Sequence, residues 1–188
     1  TRHMVCEFLG CFNSLVLDYI ARQKVGGTDV GYFHLDQLPF PQPTHFSKED
    51  SRFVRPRVLE LVFTSEDVRA FATDLGWEGG PFAWDPQRRF FIQCELDAFY
   101  ARLYGLTREE WLFVLDPAEI HGEKYPGESF RVLKEKEISR YGEFRTKRVC
   151  LELFDEMERC AAARCSYVSP LEPFLCTLDE AIGDNVGA

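Results

Sequence analysis

The stretch GEFRTKRVCLELFDEMERCAAARC, residues 142–165, begins with a basic segment and continues as a long amphipathic repeat. The basic side chains are Arg145, Lys147 and Arg148. The apolar residues that follow stand at positions 149, 150, 153, 154, 157, 160 and 161. This spacing of three and four places them on one face of an α-helix. The stretch therefore predicts a long helix that packs on a core and starts at a cluster of positive charge.

Helical spacing recurs along most of the chain. From Val5 a repeat of apolar residues runs as one predicted helix until Gly26 and Gly27, a pair that favours a helix stop. Thr107 with Glu110 forms the pattern of a capping box. Further predicted helices lie between Thr64 and Gly76, from Pro86 to Gly105, from Thr107 to Pro117, and from about Phe130 to Tyr141.

One segment predicts a strand. VLELVF, residues 58–63, has the length and β-branched content of a buried strand. The residues before it carry prolines at 39, 41, 43 and 56, so the sequence predicts short extended pieces and loop there instead of regular helix. The expected fold is α+β and predominantly helical, with amphipathic helices around one core, a few short strands and a proline-rich connection.

Composition limits the classes of function. The chain has 188 residues, 45% of them hydrophobic, and a net charge of -9, which disfavours a free-standing protein whose only role is to bind nucleic acid. It has neither a run of eighteen apolar residues nor a secretion signal, so we expect a soluble, cytoplasmic protein with no membrane partner. The cysteines stand mostly beside Leu, Phe and Ala, which is typical of buried, reduced thiols.

Common catalytic motifs are absent from the sequence. It contains no G-x-G-x-x-G, no P-loop and no Asn-Pro-Pro-aromatic motif, and no two of its four histidines have i, i+4 metal-ligand spacing. We therefore predict no catalytic residue, cofactor site or metal site in this chain. The aromatic stretch FAWDPQRRFF, residues 82–91, fits either a base-stacking platform with Arg88 and Arg89 or, more simply, core aromatics.

Three stretches together resemble large adenine-specific DNA methyltransferases of restriction-modification and phage-defence systems. CFNSLVLDYIARQKVGGTDVGYFHLDQLPFPQP resembles the end of their target-recognition region, with an Asn-Ser pair, a Gly-Gly-Thr turn and a QLP segment. FIQCELDAFYARLYGLTREEWLFVLD and EKEISRYGEFRTKRVCLELFDEM resemble their C-terminal tail. Phe144 stands where the family often has tyrosine.

The resemblance implies that the chain is the C-terminal part of a larger enzyme. Such a parent uses S-adenosylmethionine and acts on adenine in double-stranded DNA, whereas this segment is not catalytic by itself. The expected division is a target-recognition-like region at 1–43, a linker at 44–57, a helical C-terminal domain at 58–165 and a tail at 166–188. The leading function is DNA recognition and scaffolding, and the rival is a protein-interaction module that docks a nuclease or partner subunit.

Two groups of residues are candidate DNA contacts. One group is Lys24 with the Gly-Gly-Thr turn, and the other is the basic segment from Arg145 to Arg148. In the functional interpretation, backbone N–H groups and cations of both groups reach DNA phosphates. In the structural interpretation, the Gly-Gly-Thr turn only caps a helix, and the cations of the basic segment pair with Glu135, Glu137, Glu143 and Glu152. The candidates are Lys24, Gly26, Gly27, Thr28, Arg145, Thr146, Lys147 and Arg148.

Overall fold

The structure is a computed structural model that describes residues 4–27, 29–171 and 175. All regular elements in these residues are helical, and they contain no strand. Two short 3-10 turns, Pro43–His45 and Glu66–Val68, accompany the α-helices. The α-helices are α1 Val5–Phe12, α2 Leu15–Lys24, α3 Tyr32–Leu35, α4 Lys48–Val62, α5 Arg69–Asp74, α6 Pro86–Leu103, α7 Arg108–Leu115, α8 Pro117–His121, α9 Arg131–Tyr141 and α10 Arg145–Ala162.

The predicted strand at 58–63 is wrong, and with it the α+β class. Residues 58–62 form the last part of α4, which starts much earlier, at a capping box between Ser47 and Asp50. The Ser47 N–H donates to Asp50 Oδ2 over 2.8 Å, and the Asp50 N–H donates to Ser47 Oγ over 3.1 Å. This box satisfies orphan N–H groups at the helix start and favours helix over extended chain.

Pro56 lies inside α4, where the sequence predicted loop. A proline there removes one backbone donor and costs about 3 kcal/mol. Burial of one helical face offsets this cost, since Val54 and Val58 stand one turn apart and both are buried with Leu59. Tertiary packing has therefore overruled the local preference of the sequence.

The helix predicted from Val5 to Gly26 is two helices. Helix α1 ends at Phe12, and Ser14 caps α2 by accepting a 3.3 Å hydrogen bond from the Leu17 N–H. Apolar spacing continues across this break, so periodicity alone does not reveal it. The helix predicted between Thr64 and Gly76 is a 3-10 turn followed by the short helix α5. The other predicted helices are confirmed, including the Thr107–Glu110 capping box.

Two compact units make up the chain. Of the described residues, the first contains 4–11, 40–92, 168–171 and 175, and the second contains 12–27, 29–39 and 93–167. Buried apolar residues of the first unit include Val54, Leu59, Phe63, Ala72 and Ile92. Those of the second unit include Leu17, Tyr100, Trp111, Cys150 and Phe154. The sequence division at residues 43, 57 and 165 stays a prediction.

The helical assignment of α4 predicts unequal effects of two leucine truncations. Leu59 is fully buried and Leu61 is only half-buried, whereas a strand would place both on one face. We expect Leu59→Ala to lower the free energy of unfolding by about 2–5 kcal/mol. Leu61→Ala, the matched control, should cost clearly less. Urea denaturation measures both, and equal losses would contradict the helix.

Candidate nucleic-acid interface

The basic segment at the start of α10 is engaged with carboxylates of the second unit. Lys147 Nζ lies 2.9 Å from Asp116 Oδ2 and also contacts Glu119. Arg148 donates to Glu143 over 2.9 Å and to Glu152 over 3.0 Å. Hydrogen bonds to Glu143 and Glu152 raise the pKa of the Arg148 guanidinium. Both cations therefore have neutralising neighbours within the protein.

The four glutamates expected to pair with the basic segment have different partners. Glu143 and Glu152 pair with Arg148, as the structural interpretation expected. Glu135 instead lies 3.8 Å from Arg131 on its own helix. Glu137 accepts its hydrogen bonds from Thr146 and not from a cation of the basic segment. The guanidinium of Arg145 lies over the ring of Tyr141, 5.3 Å from its centroid.

Thr146 is a buried anchor for α10. Its N–H donates to Glu137 Oε2 over 2.7 Å, and its hydroxyl donates to Glu137 Oε1 over 2.6 Å. Phe144, at the N-cap position, provides no side-chain cap, so the carboxylate of Glu137 takes that role from α9. Gly142 makes the turn between α9 and α10 possible with a φ of 79°. Sequence analysis named Glu137 only as a partner for the cations and missed this contact.

Asp116, at the start of α8, binds a lysine from α9 and a lysine from α10. Its carboxylate accepts hydrogen bonds of 2.7 Å from Lys134 on α9 and 2.9 Å from Lys147 on α10. Burial opposes ionisation of Asp116, but hydrogen bonds from Lys134 and Lys147 outweigh it and hold the pKa below its usual value. Lys134 also pairs with Glu128 at 2.9 Å. This network assigns Lys147 to the packing of α8 and α10.

The turn after α2 has a different environment. Helix α2 ends at Lys24, and the Val25 N–H donates to the Ala21 carbonyl over 2.8 Å. Gly26 and Gly27 are exposed, neither has a positive φ, and a Cβ added to either would meet no atom of the described residues within 4 Å. Thr28 lies outside the described residues. Neither helix capping nor close packing of described residues therefore requires this glycine pair.

Asp97, from the Glu-Leu-Asp-Ala sequence of α6, holds the start of α2. Its Oδ1 accepts a 2.7 Å hydrogen bond from the Leu15 N–H, and the residue is 8% exposed. Burial raises the pKa of Asp97 to about 7, the Leu15 N–H opposes this shift, and the charge of Asp18 adds to it. Sequence reasoning recognised this motif but assigned Asp97 no role.

Glu95 of the same motif contacts the chain beyond α10. It is fully buried and accepts a 2.8 Å hydrogen bond from the Tyr167 hydroxyl. The two carboxylates of the motif therefore fix two other segments of the second unit, the start of α2 and the residues that follow α10.

The paired arginines of FAWDPQRRFF contact the end of α4 in the first unit. Arg88 donates to both carboxylate oxygens of Glu60 at 2.8 Å. Arg89 donates to the Leu61 carbonyl over 3.0 Å and lies 3.9 Å from the centroid of the Trp84 ring. Cationic side chains commonly satisfy the last carbonyls of a helix. Both arginines are therefore engaged in contacts within the first unit, which disfavours the base-stacking platform that would use them to bind phosphates.

An open groove lies beside α2 in the second unit. Its volume is about 280 Å³. Most of its lining is apolar, and the one charged side chain among the described lining residues, Asp18, pairs with Arg22 at 2.9 Å. The lining residues are Phe12, Asn13, Leu17, Asp18, Ala21, Val30, Leu35 and Leu38.

The described part of the chain offers neither a metal-binding cluster nor a membrane-spanning helix. Those residues contain no group of three or more His, Cys, Asp or Glu side chains suited to hold a metal ion. Their helices include none with the length and apolar character needed to cross a bilayer. Comparison of the chain with protein-family models, curated proteins and solved structures found no match.

The buried carboxylate of Asp97 predicts a pH dependence of stability. Because its folded pKa of about 7 exceeds the ordinary value of 3.8, the folded state keeps a proton that the unfolded state has lost. This contribution to stability is complete below pH 3.8 and is lost as the pH rises through about 7, with a slope near 1.4 kcal/mol per pH unit. Asp97→Asn retains an acceptor for Leu15 but does not ionise, so its unfolding free energy should fall less steeply across this window.

Urea denaturation of both proteins at several pH values measures this difference. Asp74→Asn, which changes an exposed aspartate, is the control and should follow the wild-type profile. Parallel profiles for wild type and Asp97→Asn would show that Asp97 does not titrate as its environment indicates.

Proposed function

We propose that this chain is a DNA-recognition and scaffold segment of a restriction-modification or phage-defence DNA adenine methyltransferase. In this proposal the parent is cytoplasmic, uses S-adenosylmethionine and binds double-stranded DNA, while the segment itself is not catalytic. The observation that carries the proposal is the hydrogen bond from Leu15 to Asp97. It joins two of the three stretches that carry the family resemblance, and most residues of all three belong to the second unit.

The turn after α2 is the better candidate for contact with the DNA backbone. Lys24 is exposed and has no ion-pair partner among the described residues, so its charge is available to a phosphate. The open space around Gly26 and Gly27 supports the proposal, because residues without side chains allow a ligand backbone to approach closely. Thr28 completes the proposed contact by its place in the sequence.

For the basic segment we infer a scaffold role. Lys147 and Arg148 each pair with two carboxylates, and both polar groups of Thr146 are occupied by Glu137. Moving Lys147 to a phosphate would leave the buried Asp116 with Lys134 as its only remaining cation among the described residues. Moving Arg148 would take from Glu143 and Glu152 the cation that they share. The cost of this exchange favours ion pairs that persist when DNA binds.

Salt titrations of DNA binding by the intact protein test this assignment. Lys24→Ala should lower the slope of log affinity against log salt by about one unit, because one phosphate contact and its released counterion are lost. Target and non-target sequences should be affected equally, since backbone contacts carry no base information. Arg148→Ala should leave the slope unchanged and cost at most about 1 kcal/mol of stability.

Lys136→Ala is the matched control for Lys24→Ala. Lys136 is also exposed, and its removal changes the net charge equally, so it reports any nonspecific effect of charge. A lower slope for Arg148→Ala together with a wild-type slope for Lys24→Ala would reverse the assignment and place DNA at the basic segment.

A protein-interaction module is the second candidate function. It is favoured by Tyr32 and Phe33, which are 87% and 74% exposed in the sequence that follows the turn. Exposed aromatic side chains are frequent at protein interfaces. If Phe33→Ser abolishes binding of a partner subunit and leaves the salt slope unchanged, docking is the function of this surface.

A further inference from the structure

Helix α10 ends in a Schellman motif that joins two cysteines. The Cys165 N–H donates to the Cys160 carbonyl over 2.9 Å, and the Arg164 N–H donates to the Ala161 carbonyl over 3.1 Å. These are the two hydrogen bonds of the motif. Arg164 takes its left-handed position with a φ of 55°, where glycine is usual.

The motif places the side chains of Cys160 and Cys165 next to each other at the end of α10. In Schellman motifs the residue after the left-handed position commonly contacts the side chain five positions before it, and here these residues are Cys165 and Cys160. The Cys165 thiol also donates to the Cys160 carbonyl over 3.5 Å. Burial raises the pKa of Cys160, and a hydrogen bond with the Cys165 thiol adds to the shift, which supports direct contact between the thiols.

Backbone distances in this turn suit a disulfide. A hydrogen bond of 2.9 Å between the Cys165 nitrogen and the Cys160 oxygen, with standard bond lengths, keeps the two Cα atoms within about 7 Å. Bridged cysteines have Cα atoms about 4.4–6.8 Å apart. The pair is therefore close to bridging geometry before any movement of the chain.

Accessibility distinguishes this pair from the other cysteines of the described residues. Cys6, Cys11, Cys94 and Cys150 are buried, whereas Cys165 is exposed and Cys160 is partly exposed. Oxidation of a thiol requires contact with a dissolved oxidant, so exposure of Cys165 makes it the first thiol to react.

We propose that Cys160 and Cys165 are a reversible oxidation site that closes to a disulfide with a peroxide as oxidant. The Cys165 thiolate attacks one peroxide oxygen and becomes a sulfenic acid, as the O–O bond breaks and hydroxide leaves. Cys160 sulfur then attacks Cys165 sulfur, the S–S bond forms, the S–O bond breaks, and the proton of Cys160 leaves with the hydroxyl group as water. Two thiols are oxidised to one disulfide and hydrogen peroxide is reduced to two waters.

Closure of this disulfide fixes the path of the chain as it leaves α10. Tyr167, two residues beyond Cys165, donates its hydroxyl to the buried Glu95 of α6. A covalent link at the preceding turn restricts the conformations that release Tyr167 from Glu95. The oxidised state therefore holds the end of α10 in the arrangement seen here.

Peptide mapping after hydrogen peroxide treatment of the native protein tests the site. Trypsin cuts after Arg159 and Arg164, so CAAAR and the peptide that starts at Cys165 stay joined only if a disulfide links them. The second peptide also contains Cys176, so the experiment is done in Cys176→Ser protein. We expect the joined peptides after oxidation, their separation by dithiothreitol, and their absence in Cys165→Ser protein.

Cys11→Ala is the control for unrelated thiol chemistry and should still give the joined peptides. The Cys176→Ser protein, which keeps both Cys160 and Cys165, gives the decisive result, so folding of the Cys165→Ser and Cys11→Ala variants does not decide it. Conversion of Cys165 to sulfinic acid or to a disulfide between two molecules, without joined peptides, would overturn the proposal.

Discussion

Carboxylates from other helices hold the starts of two helices in the second unit. The first N–H groups of any helix lack partners within that helix and carry partial positive charge. Asp97 of α6 accepts from Leu15 at the start of α2, and Glu137 of α9 accepts from Thr146 at the start of α10. Each bond satisfies an orphan donor and an otherwise costly buried carboxylate at the same time.

Buried carboxylates also engage many of the positive side chains of the chain. In a chain of net charge -9, positive side chains have abundant acidic partners, and several of them contact partly or fully buried carboxylates. Arg88 pairs with Glu60, Lys134 and Lys147 share Asp116, and Arg55 contacts Glu7. The basic segment is conspicuous in the sequence, yet Lys147 and Arg148 act within the fold. Lys24, at the exposed turn after α2, has by contrast no ion-pair partner among the described residues.

Sequence patterns predicted helices where local signals determine the ends. Thr107 with Glu110 begins α7, and Gly76 and Gly142 follow α5 and α9 with positive φ values, because capping depends on residues only a few positions apart. Helix α4 was not predicted, because Pro56 and a short β-branched run both favour extended chain. The burial of its apolar face within the first unit has no local signature.

The candidate site shows the same division between local and distant signals. Arg148 and Glu152 are one helical turn apart, and their pairing was expected from spacing. Asp97 and Leu15 are 82 positions apart, so no spacing rule relates them. The Glu-Leu-Asp-Ala sequence signalled importance through resemblance, but only tertiary structure reveals that its carboxylates act as a distant cap and a tyrosine acceptor.

Native-state hydrogen exchange of the Leu15 and Thr146 amides tests the central role of the two carboxylates most directly. Both amides should exchange as slowly as amides inside α6, because their N–H groups are hydrogen-bonded in the folded unit. Asp97→Ala should speed exchange of Leu15 about tenfold, as expected for loss of a hydrogen bond to a buried acceptor, and Glu137→Ala should do the same for Thr146. Exchange of both wild-type amides at the rate of the exposed Gly26 amide would contradict the account.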